Sequence, residues 1–296
     1  MSSGSEAPAV SVVMPFLDAA PFIEEAIESV LSQTLPGVEL LLIDDGSKDR
    51  SSGIARKYAM SVPGQVRYFE HAGHANRGKS VSRNLGIASA RGRYLAFLDA
   101  DDVYLPHKLG HQSELLARYP DAVMVYGTTE YWRSWEPAKL LRRRDKRGRL
   151  GVRTERVYRS PDLLVAWLRA PGIVPCICGL LARTDVVRAT GTFDEKIQDL
   201  YEDQVFLVKM LMAGAVYVES GCGERYRQHA GSSSALAVAA GRYHPWRRNP
   251  ARLMYLQWMQ QYLRERGCLA GDLQRAVDRA LRPYAESLIQ RLRFFS

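Results

Sequence analysis

The stretch Tyr94-Leu95-Ala96-Phe97-Leu98-Asp99-Ala100-Asp101-Asp102 is an apolar run that stops abruptly at three carboxylates. A short hydrophobic run bounded by turn-forming residues reads as a buried strand of a parallel sheet, and in such sheets ligands sit beyond the strand's carboxyl end. Carboxylates placed there can hold a divalent metal and, through it, the phosphates of a nucleotide. Asp is equally at home in a solvated turn or at a helix cap, so the surrounding sequence has to decide.

Upstream, Val10 to Met14 is a β-branched apolar run ended by Pro15. Pro21 then opens a segment in which Phe22, Ile23, Ala26, Ile27, Val30 and Leu31 recur at helical spacing with Glu24, Glu25 and Glu28 opposite. The pattern repeats as Leu40 to Ile43, Asp44-Asp45-Gly46-Ser47 and a helix through Ile54 and Tyr58. It repeats again as Val66 to Phe69, a loop, and a helix over Lys79 to Ala88. Downstream of the opening strand come a helix over Pro106 to Tyr119 and a strand over Ala122 to Tyr126. Strands alternating with helices imply parallel pairing through right-handed crossovers, so residues 9–126 read as an open α/β sheet, the nucleotide-binding half.

Beyond residue 126 the regularity fails. Residues 133–159 form a basic excursion with Gly148 and Gly151 and no apolar period. Breakers from Pro171 onward flank a strand over Ile177 to Leu181, Thr184 caps a short helix that Gly191 ends, and a helix spans Glu202 to Ala213. Residues 127–235 read as an acceptor half, 236–296 as a helical appendage and 1–8 as a loose tail. In the appendage, Leu253, Leu256, Met259 and Leu263, then Leu273, Ala276, Val277, Leu281 and Leu288, mark apolar stripes, with Arg275, Arg279, Arg282 and Arg291 largely off them. Pro283 is expected to kink or split the second helix. A basic amphipathic helix of this kind packs on the body or lies on an anionic membrane surface.

With 296 residues, 46% hydrophobic and 25% charged, the chain has the composition of a soluble globular protein able to bury a core. Its net charge of +9 is uneven: −4 over residues 1–132, +8 over 133–159, −2 over 160–241 and +7 over 242–296. No nucleic-acid motif accompanies the basic segments, so nucleic acid is not expected as a partner. Cys176, Cys178, Cys222 and Cys268 lack paired zinc-site spacing and no signal peptide precedes them, which suggests reduced thiols and a cytoplasmic setting, with peripheral contact at the inner face of the plasma membrane open. Leu163 to Ala182 is the most membrane-like window, but Arg169, Pro171, Gly172, Pro175 and Gly179 interrupt it, which excludes a spanning helix.

Two motifs compete for a nucleotide. Gly73-His74-Ala75-Asn76-Arg77-Gly78-Lys79-Ser80 fits the P-loop pattern letter for letter, and the strand ending in Asp99 could complete its magnesium site. That reading leaves Asp18, Asp44-Asp45 and two of the three opening carboxylates without work.

A second reading uses them all. The chain resembles the inverting family 2 glycosyltransferases of the GT-A fold. The matching pieces are Val12-Val13-Met14-Pro15, Ile27 to Thr34, Glu39 to Ser47, Asn76 to Ile87 and Gly92 to Asp102. Gly191-Thr192-Phe193-Asp194, Tyr201-Glu202-Asp203 and Tyr226 to Ser234 extend the match, in the same order over about 225 residues. The P-loop match then reduces to the family's own loop residues.

The resemblance implies a fold class: an α/β domain with an open, mainly parallel sheet flanked by helices, and a C-terminal helical appendage. It also implies a nucleotide diphosphate sugar as donor and a glycan, lipid-linked or small-molecule hydroxyl as acceptor. Asp45 would bind the base, Asp44 would assist or cap the following helix, and Arg83 would face the base or diphosphate. Pro15, Asn76, Gly78 and Ala100 would border the donor; Lys79 either joins Arg83 there or, as favoured, sits in a surface ion pair. Asp99-Ala100-Asp101 would be the DxD motif, with Asp101 as metal ligand, Asp99 on ribose or metal, and His229 as a third ligand or phosphate contact. The cofactor would be Mn²⁺ or Mg²⁺. Asp203 would be the base that deprotonates the acceptor. Asp102 is left to ligate or cap, and Glu202 to support its neighbour.

Where many relatives carry Tyr-Asn after the first strand, this chain has Leu17-Asp18, so UDP is favoured while GDP and dTDP donors stay open. Surface polysaccharide or glycan assembly is the setting implied, with a P-loop ATPase or kinase and a non-catalytic nucleotide-sugar binding module as the rivals.

Overall fold

The computed structural model describes residues 7–136, 144–169, 174–197, 200–244 and 247–293. Within the sequence expectations, residues 1–6 of the tail, 137–143 of the basic excursion, Pro171 and Gly172, and the side chains of Leu288 and Arg291 lie outside the described residues.

The first half alternates as read from the sequence: β1 (Val10–Phe16), α1 (Ile23–Leu31), β2 (Val38–Asp44), α2 (Ser51–Ser61), β3 (Val66–Glu70), α3 (Lys79–Ser89) and β4 (Tyr94–Phe97). Every residue of β1, β2 and β4 is buried, as expected of parallel strands covered on both faces. Alternate residues feed two cores. Val13, Leu41, Leu95 and Phe97 face one side of the sheet, whereas Val12, Met14, Leu40, Leu42 and Ala96 face the other with α1. The parallel register sets Val13 opposite Phe97 and Phe16 opposite Asp44. The residues after β2 and after β4 therefore emerge at the same carboxyl edge.

The chain continues as β5 (Val103–Tyr104), α4 (Lys108–Arg118), β6 (Ala122–Trp132), β7 (Lys146–Arg147), β8 (Arg156–Tyr158) and α5 (Asp162–Arg169). After these come β9 (Leu180–Arg183), α6 (Thr184–Thr190), α7 (Glu202–Ala213), β10 (Ala215–Arg227), α8 (Ser233–Ala239), α9 (Pro250–Glu265) and α10 (Gly271–Arg293). The sheet order is β3-β2-β1-β4-β9-β6-β10-β5, with β9 antiparallel to both β4 and β6. A late strand thus enters between the two halves. Residues 177–179, expected in that strand, form a 3-10 turn ahead of it.

Two local expectations change. Thr184 opens α6 without capping it, because its hydroxyl donates to the Gly92 carbonyl at 2.7 Å. Pro283 lies inside a continuous α10, where its carbonyl accepts from Arg248 at 2.6 Å. The basic excursion is only partly irregular, since β7 pairs with β6 and β8 with β10.

The C-terminal helices share the main core. Tyr255, Leu256, Met259 and Leu263 of α9 and Leu273, Ala276 and Val277 of α10 pack in one cluster with Val205, Phe206 and Val208 of α7. Among the described residues, no helix is long and apolar enough to cross a membrane.

Candidate active site

The turn after β2 is a built structure. Asp44 is buried and accepts from Ser47 N at 2.8 Å and the Tyr68 hydroxyl at 2.9 Å, with the Ser52 hydroxyl as a further donor, so it braces the entry to α2. The Asp45 amide donates to the Phe16 carbonyl, and the Asp45 carboxylate accepts from Arg77 N at 2.8 Å and Gly78 N at 3.1 Å. Gly46, at φ +85°, lets this turn meet the next loop: a Cβ there would come within 2.8 Å of Asn76 N and His74 O. Asn76 Oδ1 also accepts from Gly78 N at 3.2 Å, and Pro15 sits in β1 opposite Ile43. Asp18 accepts from Lys48 N and bridges to the same turn. Pro15, Asp44, Asp45, Asn76 and Gly78 are therefore gathered at the carboxyl edge of β1 and β2.

This geometry argues against the P-loop reading. A P-loop points its backbone N–H groups at phosphate and its Ser or Thr hydroxyl at magnesium. Here Arg77 N and Gly78 N are given to Asp45, and the buried Ser80 hydroxyl donates to the Ile197 carbonyl at 3.2 Å.

Beside this edge opens a cavity of about 240 Å³ whose walls include Lys79, Arg83, Asp99, Asp101, Asp203 and Tyr243. Arg83 is 1% exposed. One nitrogen donates to Asp99 Oδ1 at 2.7 Å, another lies 3.3 Å from Glu202 Oε1, and the guanidinium stands 5.0 Å from the Phe193 ring centre. Burial alone would push the Asp99 carboxyl up, but Arg83 and Lys79 beside it hold it below its ordinary value. Lys79 answers the same charge: Asp99 raises its ammonium against the effect of burial. Lys79 thus faces into the cavity and is not in the surface pair expected from sequence.

Asp101 and His229, 128 residues apart in sequence, meet with His229 Nε2 3.0 Å from Asp101 Oδ2. The buried Asp102 accepts from Arg227 N at 2.9 Å and so ties the end of β4 to the end of β10. Burial first, and then the charges of Asp101 and Asp99, push its carboxyl well up, which suits a tie and not a ligand. Asp101 Oδ2 and His229 Nε2 are donors of the kind that Mn²⁺ or Mg²⁺ takes, whereas Asp99 turns Oδ1 to Arg83 and does not close a compact three-residue group with them. Among the described residues, the compact three-residue group is Asp44, Glu70 and His74, but Tyr68 and Arg56 already donate to its carboxylates.

Across the cavity, Asp203 lies in the first turn of α7. Burial and then the neighbouring Glu202 charge raise its carboxyl to about 7, partly offset by Arg83. Tyr201, just ahead, is left-handed at φ +66° and stacks on Tyr255 of α9 with ring centres 5.1 Å apart. Cys176, Cys178 and Tyr243 are cavity residues that no local pattern marks, whereas Lys79, Tyr201 and Tyr226 also line the cavity and stand within the motifs that carry the resemblance.

Residues 11–182 match Glycosyl transferase family 2. A Rickettsia bellii protein described as an uncharacterized glycosyltransferase is 28% identical over 215 residues, which cover 72% of this chain and 29% of that protein. The chain therefore spans less than a third of that relative's length. Among solved structures, S. aureus TarS 1–349 in complex with UDP-GlcNAc superposes with a TM-score of 0.67 at 17% identity, covering 92% of this chain and 70% of that one. The mannosyltransferase PcManGT from Pyrobaculum calidifontis, in complex with GDP-Man and Mn²⁺, gives 0.61 at 17% identity, covering 97% and 75%. At these identities the two solved structures bear on the fold.

Proposed function

This chain belongs to glycosyl transferase family 2, and on that premise we propose that it moves a sugar from a nucleotide diphosphate sugar to a hydroxyl acceptor with inversion at the anomeric carbon. Its fold is of the GT-A type, a curled open sheet flanked by helices with further helices at the C-terminus.

One observation carries the reading. Asp203, poised near neutrality, faces the same cavity as Asp99, Asp101, Lys79 and Arg83. A base works best when its pKa lies near the working pH. The acceptor hydroxyl gives its proton to an Asp203 oxygen as its own oxygen attacks the anomeric carbon. The bond from that carbon to the diphosphate oxygen breaks on the opposite face, and the nucleoside diphosphate leaves with the electron pair. Lys79 places positive charge beside the departing group, while Arg83 holds Asp99 in place. Asp101 and His229, with Asp99 beside them, would hold Mn²⁺ or Mg²⁺, which when bound neutralises charge on the leaving diphosphate. Asp45, Asn76, Gly78, Pro15 and Ala100 border the donor side, with Asp45 setting the loop that receives the base. A UDP-sugar is the favoured donor and a GDP-sugar stays open, since structural neighbours are bound to UDP-GlcNAc and to GDP-Man. A glycan or lipid-linked acceptor in surface polysaccharide assembly suits the basic segment.

The test is nucleoside diphosphate release from a panel of UDP- and GDP-sugars with Mn²⁺, comparing wild type with Asp203→Asn, followed by NMR of the product anomer. Loss of about 10²- to 10⁴-fold in Asp203→Asn is expected. Retention of the donor's anomeric configuration, or an unimpaired Asp203→Asn, would overturn the mechanism.

A further inference from the structure

Arg227 closes β10 with only 3% of its surface exposed. Burying a guanidinium is costly unless its donors are met and its faces covered. Here Nε donates to the Asp101 carbonyl at 2.7 Å and a terminal nitrogen pairs with Glu25 at 2.5 Å. The rings of Trp132, Trp135 and Phe22 stand 4.4, 5.1 and 5.2 Å from the guanidinium carbon. The Arg227 amide donates to Asp102, so one residue grips two consecutive members of the acidic turn, from side chain and from main chain.

The same aromatic group sets the plane of His229. Its ring lies 4.7 Å from Phe22 and 6.4 Å from Trp135, whose indole N–H donates to the Gln228 carbonyl at 3.1 Å. Trp132 and Trp135 stand where the chain enters the basic segment, so a displacement of that root would reach both Arg227 and His229.

We propose that Arg227 is the positioning residue of the Asp101 and His229 pair: it fixes the Asp101 backbone against the end of β10 and so sets the approach of the two donor atoms. The proposal rests on the reading of these two residues as metal ligands. Lysine at this position keeps the charge but cannot donate from Nε, pair with Glu25 and stack between rings at once.

The experiment titrates full-length protein with Mn²⁺ by EPR without nucleotide, and then measures donor KM and kcat at saturating metal. Arg227→Lys is expected to fold, to lose about 10- to 100-fold in Mn²⁺ affinity as removal of a ligand's supporting partner does, and to raise donor KM more than it lowers kcat. Glu25→Gln, at an exposed partner, is expected to show the same effect in weaker form, and it carries the test if Arg227→Lys does not fold. Asp101→Asn separates the two levels. If Asp101→Asn abolishes Mn²⁺ binding while Arg227→Lys and Glu25→Gln match wild type within twofold, the positioning role is wrong. If Asp101→Asn binds Mn²⁺ as wild type does, the ligand reading itself fails.

Discussion

Arg83 Nη2 lies 2.7 Å from Asp99 Oδ1. Through its other nitrogen the same side chain reaches Glu202, 119 residues away, and so ties the carboxyl end of β4 to the first turn of α7. Removing one partner of a buried pair leaves an uncompensated charge, at a cost of roughly 3–5 kcal/mol. Arg83→Met should therefore lower the unfolding free energy by that margin, read as a lower urea midpoint with an unchanged slope. A variant as stable as wild type would show that neither carboxylate depends on this cation.

Asp203 gives a pH signature of opposite sign for activity and for stability. Its carboxyl titrates at about 7 in the folded protein against an ordinary 3.8, so the folded state holds a proton that the unfolded chain releases. This stabilisation is present below about pH 4 and is lost as pH rises toward 7. Activity should move the other way, with kcat/KM rising through pH 7 as the base ionises. Asp203→Asn should abolish that rise and be the more stable protein at pH 8, but not at pH 4. Paired pH-rate and pH-melting curves would reveal it, and a wild-type rate that is flat from pH 5 to 8 would contradict it.

Asp45 holds the loop before α3 by accepting from Arg77 N and Gly78 N. Asp45→Ala would free both donors and loosen the loop, so donor KM should rise at least tenfold with a smaller fall in kcat. The same contacts make a direct ligand test decisive against the P-loop alternative. In a thermal-shift panel, a ligand at 100 times its Kd adds about 2.7 kcal/mol to stability. UDP- or GDP-sugars with Mn²⁺ should stabilise the protein and ATP should not. Lys79→Ala cannot make that distinction, since Lys79 faces the cavity on either reading.

What could be read in the sequence was what is encoded locally. Apolar runs ending in carboxylates, such as Val38 to Asp44 and Tyr94 to Asp99, mark both a buried strand and the edge where it stops. Position within the sheet is another matter. Leu180 to Arg183 is too short to announce that it enters between β4 and β6, and the apolar turn before it imitates strand, which drew the expected boundary three residues early. Lys79 and Arg227 look like solvated cations in sequence. Their surroundings come from elements more than 15 residues away, Asp99 for one and Asp101 with three aromatic rings for the other. Thr184 looks like a cap, and its hydroxyl is taken by Gly92, 92 residues away.

Tyr201 poses the last case, because a bulky residue at φ +66° is strained and needs its surroundings to hold it. Those surroundings come from the C-terminal region: Tyr201 lies 5.1 Å from Tyr255 of α9 in a near-parallel stack and packs edge-on against Tyr243, in the segment between α8 and α9. Glu202 and Asp203 follow directly, so the orientation of the base depends on a contact made by α9. Tyr255→Ala should cost about 3–5 kcal/mol, as truncation of a buried aromatic does. In protein that remains folded, it should also lower kcat at saturating donor and acceptor, because Tyr201 is released and Asp203 with it. Tyr255→Phe keeps the ring and should restore both. If Tyr255→Ala loses stability but keeps its kcat at 15 °C, the helices cover the core without orienting the base.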